Sequence, residues 1–107
     1  MNPNIEKALI RAETIGMKQG AGTMRNGDCF CFLGMLADYY ISQHPNKTKW
    51  VPRANGSFSL SCCIEPFTYS AKLPSEVSRF FGRLDQSTVW YLNDRLHLTF
   101  RQIAERL

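Results

Sequence analysis

Lys18, Gln19 and Arg25 flank the glycines Gly20, Gly22 and Gly27, the composition of a backbone able to wrap an anion. Glycine reaches φ > 0 without a Cβ penalty and leaves its N–H bare, while Lys18 and Arg25 add positive charge beside it. The stretch lacks the Gly-Lys-Ser/Thr ending of a nucleoside-triphosphate loop, so it supports a generic anion contact and not that motif. Further on, Lys47, Trp50 and Arg53 set two more cations around an aromatic ring. Lys18, Gln19, Arg25, Lys47, Trp50 and Arg53 together form the candidate ligand-binding set for an anionic nucleotide or a host protein. Tyr69, Trp90 and Tyr91 are additional rings on which a base could stack, and core packing is the competing role for each.

Metal and covalent chemistry are less well supported. Cys29, Cys31, Cys62 and Cys63, with His44 and His97, supply ligand atoms. A Cys-x-Cys pair on a helix sends its thiols to different sides, and adjacent cysteines on a strand face opposite ways. Neither is a structural zinc knuckle, so no metal and no cofactor are expected, and the thiols read as small buried hydrophobes. Cys31 with His44 or His97 as its base is the nucleophilic alternative. Asp38 lies inside an apolar run and Asp94 just ahead of the last helix. Both read as structural carboxylates anchoring backbone N–H groups or an arginine such as Arg25 or Arg95, with acid–base work as the alternative.

The elements that must position these groups fit one domain, residues 1–107, with one core. At 44% apolar and 21% charged residues the chain is not globally disordered. Its net charge of +4 permits an anionic partner without requiring one. No apolar run approaches the roughly 18 residues of a membrane span, and the amino terminus lacks the order of a signal peptide. The expectation is a cytosolic protein with reduced thiols and no membrane partner.

Ile5, Ala8, Leu9, Ala12 and Ile15 recur at helical spacing, with Asn2 as cap, Pro3 in the first turn and Gly16 or Gly20 as the stop. A second, central helix is expected to begin at Asp28, whose carboxylate would cap the first turn and fill the anion-attracting helix end. That helix runs to His44 and is apolar nearly all round, with Gly34 marking a close backbone contact and Pro45 and Asn46 ending it. Trp50-Val51, Phe58 to Ile64 and Phe67 to Tyr69 read as strands of a small antiparallel sheet or ribbon, with Asn55-Gly56 as a hairpin turn. Pro74 opens a short helix with Val77, Phe80 and Phe81 inside, and Thr88 to Leu92 form another short helix or a strand. Thr99 and Gln102 have capping-box spacing ahead of a last helix that buries Phe100, Ile103, Ala104 and Leu107. The fold class is α+β, with a central buried helix, flanking helices and a small sheet.

Several blocks form an ordered signature: Lys18-Gln19-Gly20, Gly22, Arg25, Gly27-Asp28, Phe30-Cys31, Leu33-Gly34, Leu36 and Asp38, then Leu73-Pro74 and Glu76-Val77, then Leu92-Asn93-Asp94, Leu98-Thr99-Phe100 and Ile103-Ala104. This set resembles a widespread family of small, mostly uncharacterised phage and prophage proteins. Phe32 and Ala37 stand where that family commonly has cysteines. The resemblance implies a phage origin and brings no established activity or catalytic residues.

The expected function is therefore a phage-encoded, non-enzymatic counter-defence protein of the host cytosol. It would sequester a nucleotide signal or inhibit a host immune protein in the manner of an anti-CRISPR. The alternatives are a nucleic-acid-binding accessory protein using Arg79, Arg83, Arg95, Arg101 and Arg106, and a small enzyme using Cys31 or Asp38.

Overall fold

Asn2 caps the first helix as its type predicts: its Oδ1 accepts the N–H groups of Asn4 at 2.8 Å and Ile5 at 3.4 Å, and Pro3 takes the first helical position. Helix α1 (Pro3–Ile15) buries Ile5, Ala8, Leu9 and Ala12 on one stripe and stops at Gly16, which adopts φ 66°. Ile15, expected inside, projects beyond the stripe and is 57% exposed. A computed structural model describes residues 1–62, 68–69 and 71–107. The expected strand residues Cys63, Ile64 and Phe67 and the turn former Pro66 lie outside them.

The chain then departs from expectation. Instead of entering a helix at Asp28, it forms strands β1 (Lys18–Gln19), β2 (Arg25–Asn26) and β3 (Cys29–Phe30). Arg25 pairs with Phe30 and Asn26 with Cys29 in a hairpin whose turn is Gly27-Asp28. Gly27 adopts φ 56°, the left-handed backbone that makes this tight reversal cheap, and it leaves Asp28 exposed at the tip. Helix α2 starts later and spans Phe32–Gln43, with Cys31 as its cap residue. The helix is apolar all round, as the sequence predicts: Phe32 to Ala37, Tyr39 and Tyr40 are all buried. Each of the buried Phe, Leu and Met side chains among them contributes roughly 1.5–3 kcal/mol of transfer free energy. Gly34 is where α2 touches the loop before it, since a Cβ there would collide with the carbonyl of Met24.

Strands β4 (Thr48–Pro52), β5 (Ser57–Cys62) and β6 (Thr68–Tyr69) complete a sheet of order β1-β3-β2-β5-β4, with β6 pairing β5 as well. The sheet is mixed and not purely antiparallel, because β1 lies parallel to β3. Asn55 and Gly56 turn β4 into β5 with φ 65° and 76°, the conformation an Asn-Gly reversal favours. Three short helices close the fold: α3 (Ser75–Phe80), α4 (Gln86–Trp90) and α5 (Phe100–Ala104). A π-helical turn, Tyr91–Arg95, continues α4. The Thr99–Gln102 capping box is formed in both directions, and α5 buries Phe100, Ile103 and Ala104 while Leu107 stays at the surface. The result is a single α+β domain packed around α2. Among the described residues no helix is long and apolar enough to cross a membrane.

Candidate functional site

The glycine-rich loop is closed by side chains from the far end of the chain. Asn93, only 3% exposed, uses its full hydrogen-bonding capacity. Its Oδ1 accepts Gln19 Nε2 at 2.8 Å and the Phe32 N–H at 3.0 Å, and its Nδ2 donates to the Gly20 carbonyl at 2.9 Å and to Asp94 Oδ1 at 2.8 Å. Asp94 Oδ2 accepts the Gly22 N–H at 2.9 Å. An internal carboxylate therefore does fill the anion-attracting loop, but it is Asp94, 72 residues further along the chain, and not Asp28. The first turn of α2 is satisfied in the same way, by Asn93 on Phe32 and by Cys31 Sγ, which accepts the Gly34 N–H at 3.4 Å. Burial pushes the Cys31 thiol up to about 11, against hydrogen bonds from Gly34 and Leu33 that pull it down and with the Asp94 charge adding to the rise.

Asp38 anchors a second knot. It takes Arg11 Nη1 at 2.7 Å and Trp50 Nε1 at 2.9 Å, so its arginine is Arg11 and neither Arg25 nor Arg95. Arg25 lies 3.9 Å from the Phe58 ring centroid, 5.1 Å from Phe30 and 5.8 Å from Trp50, and its Nε donates to the Gly27 carbonyl. The expected ligand-binding residues are thus distributed over several places. Lys18, Arg25 and Asp28 border a shallow hollow of about 390 Å³ with Asp38 at its side. Gln19 is bound to Asn93 and to the Leu98 carbonyl. Lys47 stands 3.8 Å from Glu76, and Arg53 at the end of β4 donates to Ser59 Oγ at 3.0 Å. Lys47 and Arg53 flank opposite ends of β4, so the six do not surround one cavity.

A different face gathers cations and rings. The Gln86 side chain on α4 accepts the Leu73 N–H at 2.7 Å and donates to the Leu73 carbonyl at 3.1 Å, pairing with that residue as a neighbouring strand would. This fixes Lys72 beside α4 and opposite α3. Lys72, Ser75, Ser78, Arg79, Arg83 and Gln86 line a hollow of about 550 Å³. Lys72 and Gln86 also border an adjoining hollow of about 500 Å³ walled by Leu33, Trp90 and Tyr91. Trp90 is 44% and Tyr91 50% exposed.

Neutralising carboxylates are held elsewhere. Glu76 faces Lys47, Asp85 caps α4 through Thr88, and Asp94 is held by the loop. The Thr88 bonds keep the Asp85 carboxyl below its ordinary range. Lys72, Arg79 and Arg83 make no ion pair with any described residue. Arg83 is also held at φ 57°, in the left-handed region that costs a residue with a Cβ roughly 1–2 kcal/mol. It ends α3 in a Schellman arrangement, its N–H reaching the Ser78 carbonyl while the Gly82 N–H reaches Arg79.

Sequence reasoning named Arg79, Arg83, Trp90 and Tyr91 separately and passed over Lys72. The usable signal was periodicity. Val89 and Leu92 form the buried side of their helix, and the two rings between them must point outwards. Among the described residues no three His, Cys, Asp or Glu side chains come together as metal ligands. Comparison with known proteins brings no match to a family model, a curated protein or a solved structure.

Proposed function

We propose that this chain is a phage-encoded, non-enzymatic counter-defence protein that acts by binding an anionic host component on the face formed by residues 71–91. The observation that carries this reading is the set Lys72, Arg79 and Arg83, which form no ion pair among the described residues, beside the exposed rings of Trp90 and Tyr91. Charge without an internal partner is available to an external one, and exposed rings add apolar contact where charge alone would give only attraction. The resemblance of the residue blocks from Lys18 to Ala104 to small phage proteins supports the biological setting. Binding without turnover is supported by the state of the two chemical candidates. Cys31 is buried with its thiol pushed up to about 11, far from the thiolate that nucleophilic attack needs. Asp38 is engaged by Arg11 and Trp50. Of the carboxyl-terminal arginines that a nucleic-acid accessory role would use, Arg101 is held by Glu13 at 2.6 Å.

The test is to immobilise the wild-type protein and an Arg79→Glu/Arg83→Glu double variant, pass bacterial extract over both, and identify retained small molecules and proteins by mass spectrometry. The wild type retains a discrete anionic component that the double variant loses. Equal retention by both proteins overturns the reading. Loss in Lys18→Ala/Arg25→Ala instead moves the site back to the glycine-rich loop.

A further inference from the structure

The two hollows on this face differ in chemistry and share a border. One is polar and edged by Lys72, Arg79 and Arg83, and the other is walled by Leu33, Trp90 and Tyr91; Lys72 and Gln86 belong to both. A ligand that fills them must carry several negative charges at one end and a flat apolar group at the other. We propose that the groove binds a nucleoside polyphosphate, with the phosphates among Lys72, Arg79 and Arg83 and the base against Trp90 and Tyr91. This deepens the binding reading above and rests on it for the location of the site.

Three cations within one hollow match a group with more than one negative charge, which excludes a simple monocarboxylate as the best fit. A fatty acid would also need a deep apolar tunnel, whereas Trp90 and Tyr91 offer half-exposed rings at the surface. Ring faces suit a base, because every base has a π-face to stack. Arg95 lies 5.7 Å from the Trp90 ring centroid, steadying the indole and adding a fourth positive charge beside it. Each hollow lies within the range of about 300–1,000 Å³ typical of small-molecule sites. The Gln86–Leu73 pairing holds the rim of both hollows in place before any ligand arrives, and a preformed site loses less freedom on binding. The strained backbone of Arg83 fits the same picture, since glycine would relax φ 57° at the cost of the guanidinium.

The experiment titrates the purified full chain with ATP, adenosine, inorganic tripolyphosphate and an oligothymidylate, following indole fluorescence and heat. ATP is expected to quench Trp90 and to bind at least about tenfold more tightly than adenosine or tripolyphosphate. Arg79→Glu/Arg83→Glu weakens ATP by at least about tenfold, with circular dichroism confirming the fold. Trp90→Ala weakens ATP while leaving tripolyphosphate within about twofold, which separates stacking from charge. The proposal is overturned if ATP does not bind the wild type at about 1 mM, if both variants bind ATP as the wild type does, or if oligothymidylate binds more tightly than ATP. The two readings also fail separately. Loss of an extract component in the double variant, with no ATP binding by the wild type, removes the nucleotide and leaves the binding function. ATP binding that depends on Trp90 and Arg79, with nothing retained from extract, keeps the nucleotide site and removes the counter-defence role.

Discussion

The glycine-rich block at residues 18–38 and the face at residues 71–91 both combine basic residues with turns and rings, yet they have opposite uses for their polar groups. In the first, Gln19, the Gly20 carbonyl and the Gly22 N–H are all bonded to Asn93 or Asp94, and Arg25 sits against three aromatic rings. In the second, Lys72, Arg79 and Arg83 pair with no described carboxylate, and the rings stand out from the surface. What separates the scaffold from the proposed binding face here is whether the polar groups of the turn and the arginine beside it are taken up internally. Density of charge along the chain does not report that.

Substitutions break the comparison most sharply where the loop meets the helix. Gly34→Ala drives a Cβ into the Met24 carbonyl, and backbone cannot yield as a side-chain tip does; denaturant melts are expected to show a loss of about 3 kcal/mol or more, or no folded protein. Asn93→Ala removes four hydrogen bonds and leaves the Phe32 N–H and the Gly20 carbonyl without it, for an expected loss of roughly 2–4 kcal/mol by the same measurement.

Cys31 provides a pH signature of the buried side. Its folded pKa is raised from 9.0 to about 11, so the thiol's contribution is fully present below the unfolded value and is lost as pH climbs from 9 towards 11. Melts of the wild type are expected to weaken over that window by on the order of 2 kcal/mol more than those of Cys31→Ala. A thiol alkylated as fast as Cys29 at pH 8 would contradict it.

On the proposed binding face the effects on stability shrink or change sign. Arg83→Gly relieves the left-handed strain and is expected to raise stability by about 0.5–1 kcal/mol while weakening ATP binding. Arg79→Glu leaves the melting midpoint within about 0.5 kcal/mol of wild type, the change appearing only in ligand titrations. A large stability loss there would make Arg79 part of the scaffold and dissolve the contrast between the two regions.

Local chemistry was legible in the sequence where local physics decides it. The Asn2 cap, the Gly16 stop, the Asn55-Gly56 turn and the Thr99–Gln102 box all appear as their residue types predict. Gly34 was read as a backbone contact, and Met24 supplies it. The start of α2 was misplaced because Asp28 is a good cap in isolation, whereas Gly27 makes a hairpin turn that consumes Asp28 to Phe30 first. Apart from Asp94 next to Asn93, the partners of Asp38 and Asn93 lie 12 to 74 residues away along the chain, beyond what spacing can reveal. The aromatic and basic face joins α3, α4 and the segment between strand and helix, and only the tertiary arrangement shows that its charges form no ion pair among the described residues.

The Asn93 clasp also governs when the protein can become itself. Gly20 and Asn93 are separated by 73 residues, so the amino-terminal loop cannot close while a ribosome is still making the second half of the chain. Until Asn93 and Asp94 are in place, the Gly20 carbonyl and the N–H groups of Gly22 and Phe32 lack the side chains they bond in the folded protein. A chain that stops short of Asn93 therefore lacks the one side chain that ties the loop to the start of α2.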